Sequence, residues 1–175
     1  LLRGALLEGD RANWYAAASA LGALRDPRIP GLLLAIYGSA DPLQRRRILD
    51  LLGRGEDRRE EVVGLLRREL RGSDPALRAA AAWSLGRWPD PLAVAALVAA
   101  ATDRDRGVRT NVAGALGRLR RRETLPLLWQ LAADSDAGVR ANALLSLAGL
   151  RAPGSLPALV ERLTSDRNPW VRSNA

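Results

Sequence analysis

The chain has 175 residues, is 47% hydrophobic and 26% charged, and carries a formal net charge of +8, a balance that fits a folded chain with a packed core. It contains no Cys, His, Met, Phe or Lys, so all 27 basic residues are Arg. These absences exclude thiolate or imidazole catalysis, disulfides, zinc sites of the usual N/S type and haem attachment motifs, and they leave the redox compartment open.

In chain order, Leu2, Leu6 and Leu7 read as the last turns of a helix already under way at the first residue. A unit then recurs: DRANWYAAASALGAL from Asp10, DPLQRRRILDLLGRG from Asp41, DPALRAAAAWSLGRW from Asp74, DRGVRTNVAGALGRL from Asp105, DAGVRANALLSLAGL from Asp136, and a truncated NPWVRSNA from Asn168. Its anchors stand 31 to 33 residues apart, a period that indicates stacked structural repeats. Leu or Val often at +3 and +7 from the anchor, Leu at +11 in all five complete copies and usually Leu or Trp at +14 predict a first helix, A, with one buried face. The anchor suits an N-cap, and Pro follows it in Asp41-Pro42, Asp74-Pro75 and Asn168-Pro169. A second helix, B, is predicted from Val94, Leu97 and Ala101, from Leu125, Leu128 and Ala132, and from Leu156, Leu159 and Leu163, with Thr124 and Ser155 as candidate N-caps. The two extra residues of the second unit are placed in its A–B loop, around 53–60.

Position +12 reads Gly22, Gly53, Gly86, Gly117 and Ala148. Gly inside a helix is about 1 kcal/mol less favourable than Ala. Its recurrence therefore predicts that another backbone passes too close for a Cβ.

The pattern Asp74…Leu77-Arg78…Ser84-Leu85-Gly86, repeated at Asp105…Val108-Arg109…Ala115-Leu116-Gly117 and at Asp136…Val139-Arg140…Ser146-Leu147-Ala148, resembles the HEAT repeat family, in particular the short bacterial type also seen in phycobilisome bilin lyases. The resemblance covers nearly the whole chain and implies an all-α, right-handed solenoid of about five complete helix pairs over residues 1–175, starting near 10, 41, 74, 105, 136 and 168. Both ends read as cut, so a segment of a longer array is expected. The resemblance is specific for fold and weak for function. The first unit departs from it, with Asn13 and Trp14 where the others have an apolar residue and Arg. The His-Glu pairs of HEAT-like iron hydroxylases are missing, and no metal or cofactor is expected.

Placed on this architecture, the A–B turns are net basic, the B–A turns net acidic, and the helices carry the largest basic surplus. Arg45, Arg78, Arg109, Arg140 and Arg172 each stand four residues after an anchor. They are expected to form a structural ladder with the anchor carboxylates Asp41, Asp74, Asp105 and Asp136. Arg118, Arg120, Arg121 and Arg122 form the densest run; it is either a clamp for a phosphate or acidic partner or a solvated turn beside a helix C-terminus.

Helix B lines the concave side in stacks of this kind. Its +24 column, corrected for the insertion, reads Leu34, Arg67, Val98, Trp129 and Val160. Arg67, Arg68 and Arg71 with Val98 and Trp129 suggest a groove with a cationic end and an apolar floor, suited to an acidic peptide; the competing assignment puts Trp129 in the core. Trp88 is assigned to the core and Trp83 to a partly exposed site.

The expected role is a non-enzymatic protein-interaction scaffold. The alternatives are Arg-mediated nucleic-acid binding and, from the lyase resemblance, an accessory part in chromophore attachment. No membrane segment is expected, since the longest uncharged apolar run, Leu92 to Ala101, is well short of the roughly 20 residues that span a bilayer.

Overall fold

The computed structural model describes residues 6, 11–24, 26–55 and 59–165, apart from the side chains of Arg11, Arg162 and Leu163. The sixth anchor Asn168 with Trp170 and Arg172, the N-terminal Leu2 and Leu7, and part of the inserted A–B loop lie outside the described residues.

Five helix pairs follow in order. The A helices are α1 (Arg11–Ala23), α3 (Pro42–Leu52), α5 (Pro75–Leu85), α7 (Arg106–Leu119) and α9 (Ala137–Gly149). The B helices are α2 (Ile29–Tyr37), α4 (Arg59–Glu69), α6 (Pro91–Ala99), α8 (Leu125–Leu131) and α10 (Ser155–Ser165). The described residues contain no strand, and each A helix from α3 to α7 packs along the A helix of the next unit. The result is a two-layered solenoid with its core between the layers.

The four described anchors, Asp41, Asp74, Asp105 and Asp136, start the A helices as N-caps, while Asp10 lies outside the described residues. Asp41 accepts the Gln44 N–H at 2.8 Å and forms a reciprocal capping box with the Gln44 side chain. Asp74 caps Ala76, Asp105 caps Val108, and Asp136 caps Gly138 and Val139. Each cap satisfies first-turn donors that the helix cannot pair internally. Helix B starts differently from expectation. Thr124 does not cap α8; its buried hydroxyl donates to the Arg121 carbonyl at 2.7 Å, closing the 3-10 turn Arg122–Thr124. Ser155 is itself the first residue of α10, and Asp90 caps α6 through the Leu92 N–H.

The core follows the repeat. Leu21, Leu52, Leu85, Leu116 and Leu147, all at +11, are buried, as is Trp88. The +12 glycines meet the next A helix at its +10 residue. A Cβ on Gly86 would stand 2.6 Å from Cα of Ala115, one on Gly53 2.8 Å from Cβ of Ser84, and one on Gly117 2.6 Å from Cβ of Ser146. The close approach also brings hydrogen bonds from one unit to the one before: Ser84 Oγ donates to the Leu49 carbonyl at 2.8 Å, Ser146 Oγ to Ala113 at 2.9 Å, and Asn111 Nδ2 to Ala79 at 2.8 Å.

Candidate interaction surfaces

The B–A edge is a ladder, with a different carboxylate from the one expected. Arg78, only 4% exposed, forks onto Asp103, with Nε 2.8 Å and Nη2 3.0 Å from its oxygens, while Nη1 donates to the Gly72 and Ser73 carbonyls. Arg109 repeats this on Asp134 at 2.7 and 2.9 Å, and its Nη1 donates to the Asp103 carbonyl at 2.8 Å. Arg140 donates in turn to the Asp134 and Ser135 carbonyls. The partners are thus Asp103 and Asp134, two residues before the anchors Asp105 and Asp136. The anchor carboxylates are committed to N-capping, and the earlier Asp is left to face the arginine fork.

Two neighbours fix the charge of these acids. In Asp103, burial works to raise the pKa but is outweighed by hydrogen bonds from Arg78 and from the Asp105 N–H, so the carboxyl stays below its ordinary value. In Asp134 the Arg109 hydrogen bond lowers the pKa against the opposing effect of burial. Arg78 and Arg109 are held above the usual guanidinium value by the same hydrogen bonds.

The second unit breaks the pattern. Gly72 stands where Asp103 and Asp134 stand in later units, so Arg45 has no such carboxylate. Its Nη2 donates to the Gly38 carbonyl at 2.9 Å, its Cζ lies 5.6 Å from the centre of the Tyr37 ring, and its buried Nε has no hydrogen-bond partner. Burial, and then the nearby charge of Glu69, push the Tyr37 phenol up, with Arg45 and Arg68 opposing. In the first unit the ladder position is Trp14, buried and edge-on to Tyr15 at 5.2 Å.

On the B layer, Val98 and Val160 of the +24 column are 44% and 51% exposed, while Leu34, Arg67 and Trp129 are half-buried. Trp129 packs against the core and reaches the α9–α10 turn, its Cζ2 lying 3.8 Å from the position of a Cβ on Gly154. It is therefore partly packed on the core and partly open to solvent. Arg68 and Arg71 are exposed.

The arginine run in the fourth A–B turn spreads out. Arg118 turns back one unit, donating from Nη2 to the Trp83 carbonyl at 3.4 Å. Arg120, in the left-handed conformation at φ 54°, turns forward to the Gly149 carbonyl at 3.4 Å. These two line a shared depression that Arg121 and Arg122 do not line. The companions of Arg118 are Arg87, whose Cζ lies 4.6 Å from the Trp83 ring centre, and Trp83 itself, residues outside the run. The signal that finds them is the +13 column, Ala23, Arg54, Arg87, Arg118 and Gly149, which inspection of single turns does not expose.

Among the described residues there is no group of three or more potential metal ligands, and no helix is long and apolar enough to cross a membrane.

Comparison with solved structures places the fold among helical-repeat solenoids. YibA of E. coli superposes with a TM-score of 0.74 at 21% identity, covering 98% of this chain and 66% of its own length. The complex of CpcE and CpcF of phycocyanin lyase from Nostoc sp. gives 0.65 at 26% identity, covering 84% of this chain and 95% of that one. A designed armadillo repeat protein in complex with the peptide (KR)4 gives 0.64 at 18% identity, covering 99% and 94%. A search of curated proteins found no match. Solenoids of this class are in general interaction scaffolds and typically non-enzymatic. The family model for HEAT repeats matches residues 29–113 and 94–175, and the chain belongs to that family.

Proposed function

We propose that this solenoid binds a protein partner on the face lined by its B helices, with Arg67, Val98 and Trp129 as the central contacts and Arg68 and Arg71 at the cationic end. One observation carries the reading. The +24 column leaves Val98 and Val160 about half exposed in register along a layer whose inner side is packed, giving an apolar line with a guanidinium in it. Such a line suits an extended or helical segment that offers apolar side chains and an acidic one. Neighbours of the same fold support the class of role: one is in complex with a peptide, and another is a complex of two lyase subunits.

A photocrosslinking residue placed at Val98 should label the partner, whereas one at the exposed Leu43 on α3 should not. Arg67→Glu combined with Trp129→Ala should reduce that labelling about tenfold or more, the loss expected for one or two central contacts. Equal labelling from both positions, or labelling unchanged in the double variant, would overturn the proposal.

A further inference from the structure

The A-helix layer carries a second surface, independent of the B-helix face. Where the A helices end, the +13 column places Arg54, Arg87 and Arg118 on three successive units, and Trp83 stands between the last two. The indole gathers guanidinium groups from neighbouring repeats, with ring-centre distances of 4.6 Å to Arg87 and 5.3 Å to Arg118. Cations attract aromatic faces but repel one another, so the arrangement concentrates positive charge on a rigid platform. Among the described residues neither Arg87 nor Arg118 has a carboxylate partner, in contrast to the ladder arginines Arg78 and Arg109, which are paired with Asp103 and Asp134. Partial desolvation of Arg118, and then the charge of Arg87, lower its affinity for its proton, as expected for a cation lacking a counter-ion.

Depressions flank the cluster. One, of about 530 Å³, is lined by Arg54 and Arg87 with Leu24, Ile29 and Leu51, and by Asp26, whose carboxylate is neutralised by Arg28 at 2.6 Å. The other, of about 480 Å³, is lined by Arg118 and Arg120 with Leu145. Leu24 and Leu145 are each about half exposed, at 52% and 50%. Cationic groups thus run along one edge between two apolar ends, Leu24 and Leu145, with Asp50 near Arg54 at the start of the run.

We infer that this edge docks an acidic, extended segment of a partner protein, with the Trp83-held guanidiniums of Arg87 and Arg118 receiving its carboxylates and Leu24 and Leu145 receiving its apolar side chains. Charge complementarity selects the acid, and the leucines favour a peptide over a bare anion. Spacing selects the extended form. Packed helices lie about 8–10 Å apart and an extended chain advances about 3.3 Å per residue, so a carboxylate at every third position keeps step with the repeats.

The test uses fluorescence anisotropy with a labelled peptide of about twelve residues, long enough to span the column, carrying Glu at every third position with Ala and Leu between. Its Gln-for-Glu counterpart and a single-stranded DNA oligonucleotide serve as competing probes. The Glu peptide should bind, and the Gln peptide should bind at least about tenfold more weakly because it lacks charge-assisted hydrogen bonds. Arg87→Glu and Arg118→Gln should each weaken binding by about fivefold or more, whereas Arg67→Glu, on the B face, should stay within about twofold. Circular dichroism identifies any variant that fails to fold, and Arg87→Gln, at an exposed position, replaces it. The inference is overturned if the Glu peptide does not bind, if the Gln peptide binds equally, if Arg67→Glu does as much harm as the edge variants, or if the DNA binds more tightly than the Glu peptide. Because the B-face variant is a separate arm, failure here and failure of the B-face proposal are distinguishable.

Discussion

Arg151 occupies a position normally given to glycine. It sits at φ 51°, just past the end of α9, where the Ala152 N–H bonds the Leu147 carbonyl at 2.9 Å and its own N–H bonds Ala148 at 2.9 Å. This is the paired hydrogen-bond pattern that ends a helix through a left-handed residue, and a side chain there is strained by about 1 kcal/mol. Arg151→Gly should therefore raise stability by about 0.5–1 kcal/mol in urea unfolding; a loss would show that the arginine side chain makes a compensating contact. The ladder carboxylates give a second residue-level expectation. Their folded pKa values are depressed, so their contribution is complete above the ordinary Asp value of about 3.9 and is lost as pH falls through the lower folded value. Asp134→Asn should cost about 2 kcal/mol at neutral pH, and the gap from the parent chain should narrow as pH falls below about 4. A gap constant over that range in urea titrations would contradict the assignment.

At the scale of the helices, the contact between one A helix and the next decides what the +12 column tolerates. On Gly86 a Cβ meets the Ala115 backbone at 2.6 Å, which cannot yield without moving α7, so Gly86→Ala should destabilise by about 1–3 kcal/mol. On Gly22 it meets Cδ2 of Leu51 at 2.8 Å, the end of a flexible side chain, and Gly22→Ala should fall within about 1 kcal/mol of the parent. Thermal unfolding of the two variants side by side checks the contrast; equal effects would mean that the helices do not approach at this register. The need for glycine was legible because a costly residue recurred at one offset. The A helices were legible because anchor, proline and apolar spacing all agree. The starts of the B helices were less so, since Thr124 has the right chemistry for a cap and spends it on the Arg121 carbonyl. The ladder partner was hidden for a similar reason: Asp103 and Asp105, like Asp134 and Asp136, lie two residues apart in one turn, and spacing alone does not tell which caps a helix and which faces an arginine.

Across the whole molecule, a net charge of +8 proves a poor guide to where an acidic partner would dock. Among the described residues the most buried arginine, Arg78, is neutralised by Asp103, and Arg109 likewise by Asp134, whereas Arg87 and Arg118, without carboxylate partners, gather around Trp83. The grouping of Arg87 with Arg118 joins residues 31 apart in sequence, which share the +13 offset, whereas the place of Trp83 between them emerges only when the repeats are stacked. The B-face column was readable beforehand because it keeps one offset once the two inserted residues of the second unit are allowed for. The same stacking gives the ladder an uneven distribution: full Arg–Asp rungs at Arg78 and Arg109, none at Arg45, where Gly72 supplies no carboxylate, and a tryptophan in the first unit. Considered as a spring, the array is stiffened along its B–A edge from α5 onward, while the α3–α5 junction relies on the glycine contact and the bond from Ser84 to Leu49. A load applied along the stack would bend the two junctions ahead of α5, where no Arg–Asp rung braces the edge, more than the α5–α7 and α7–α9 junctions, so the solenoid is more compliant toward its first turns than toward its later ones.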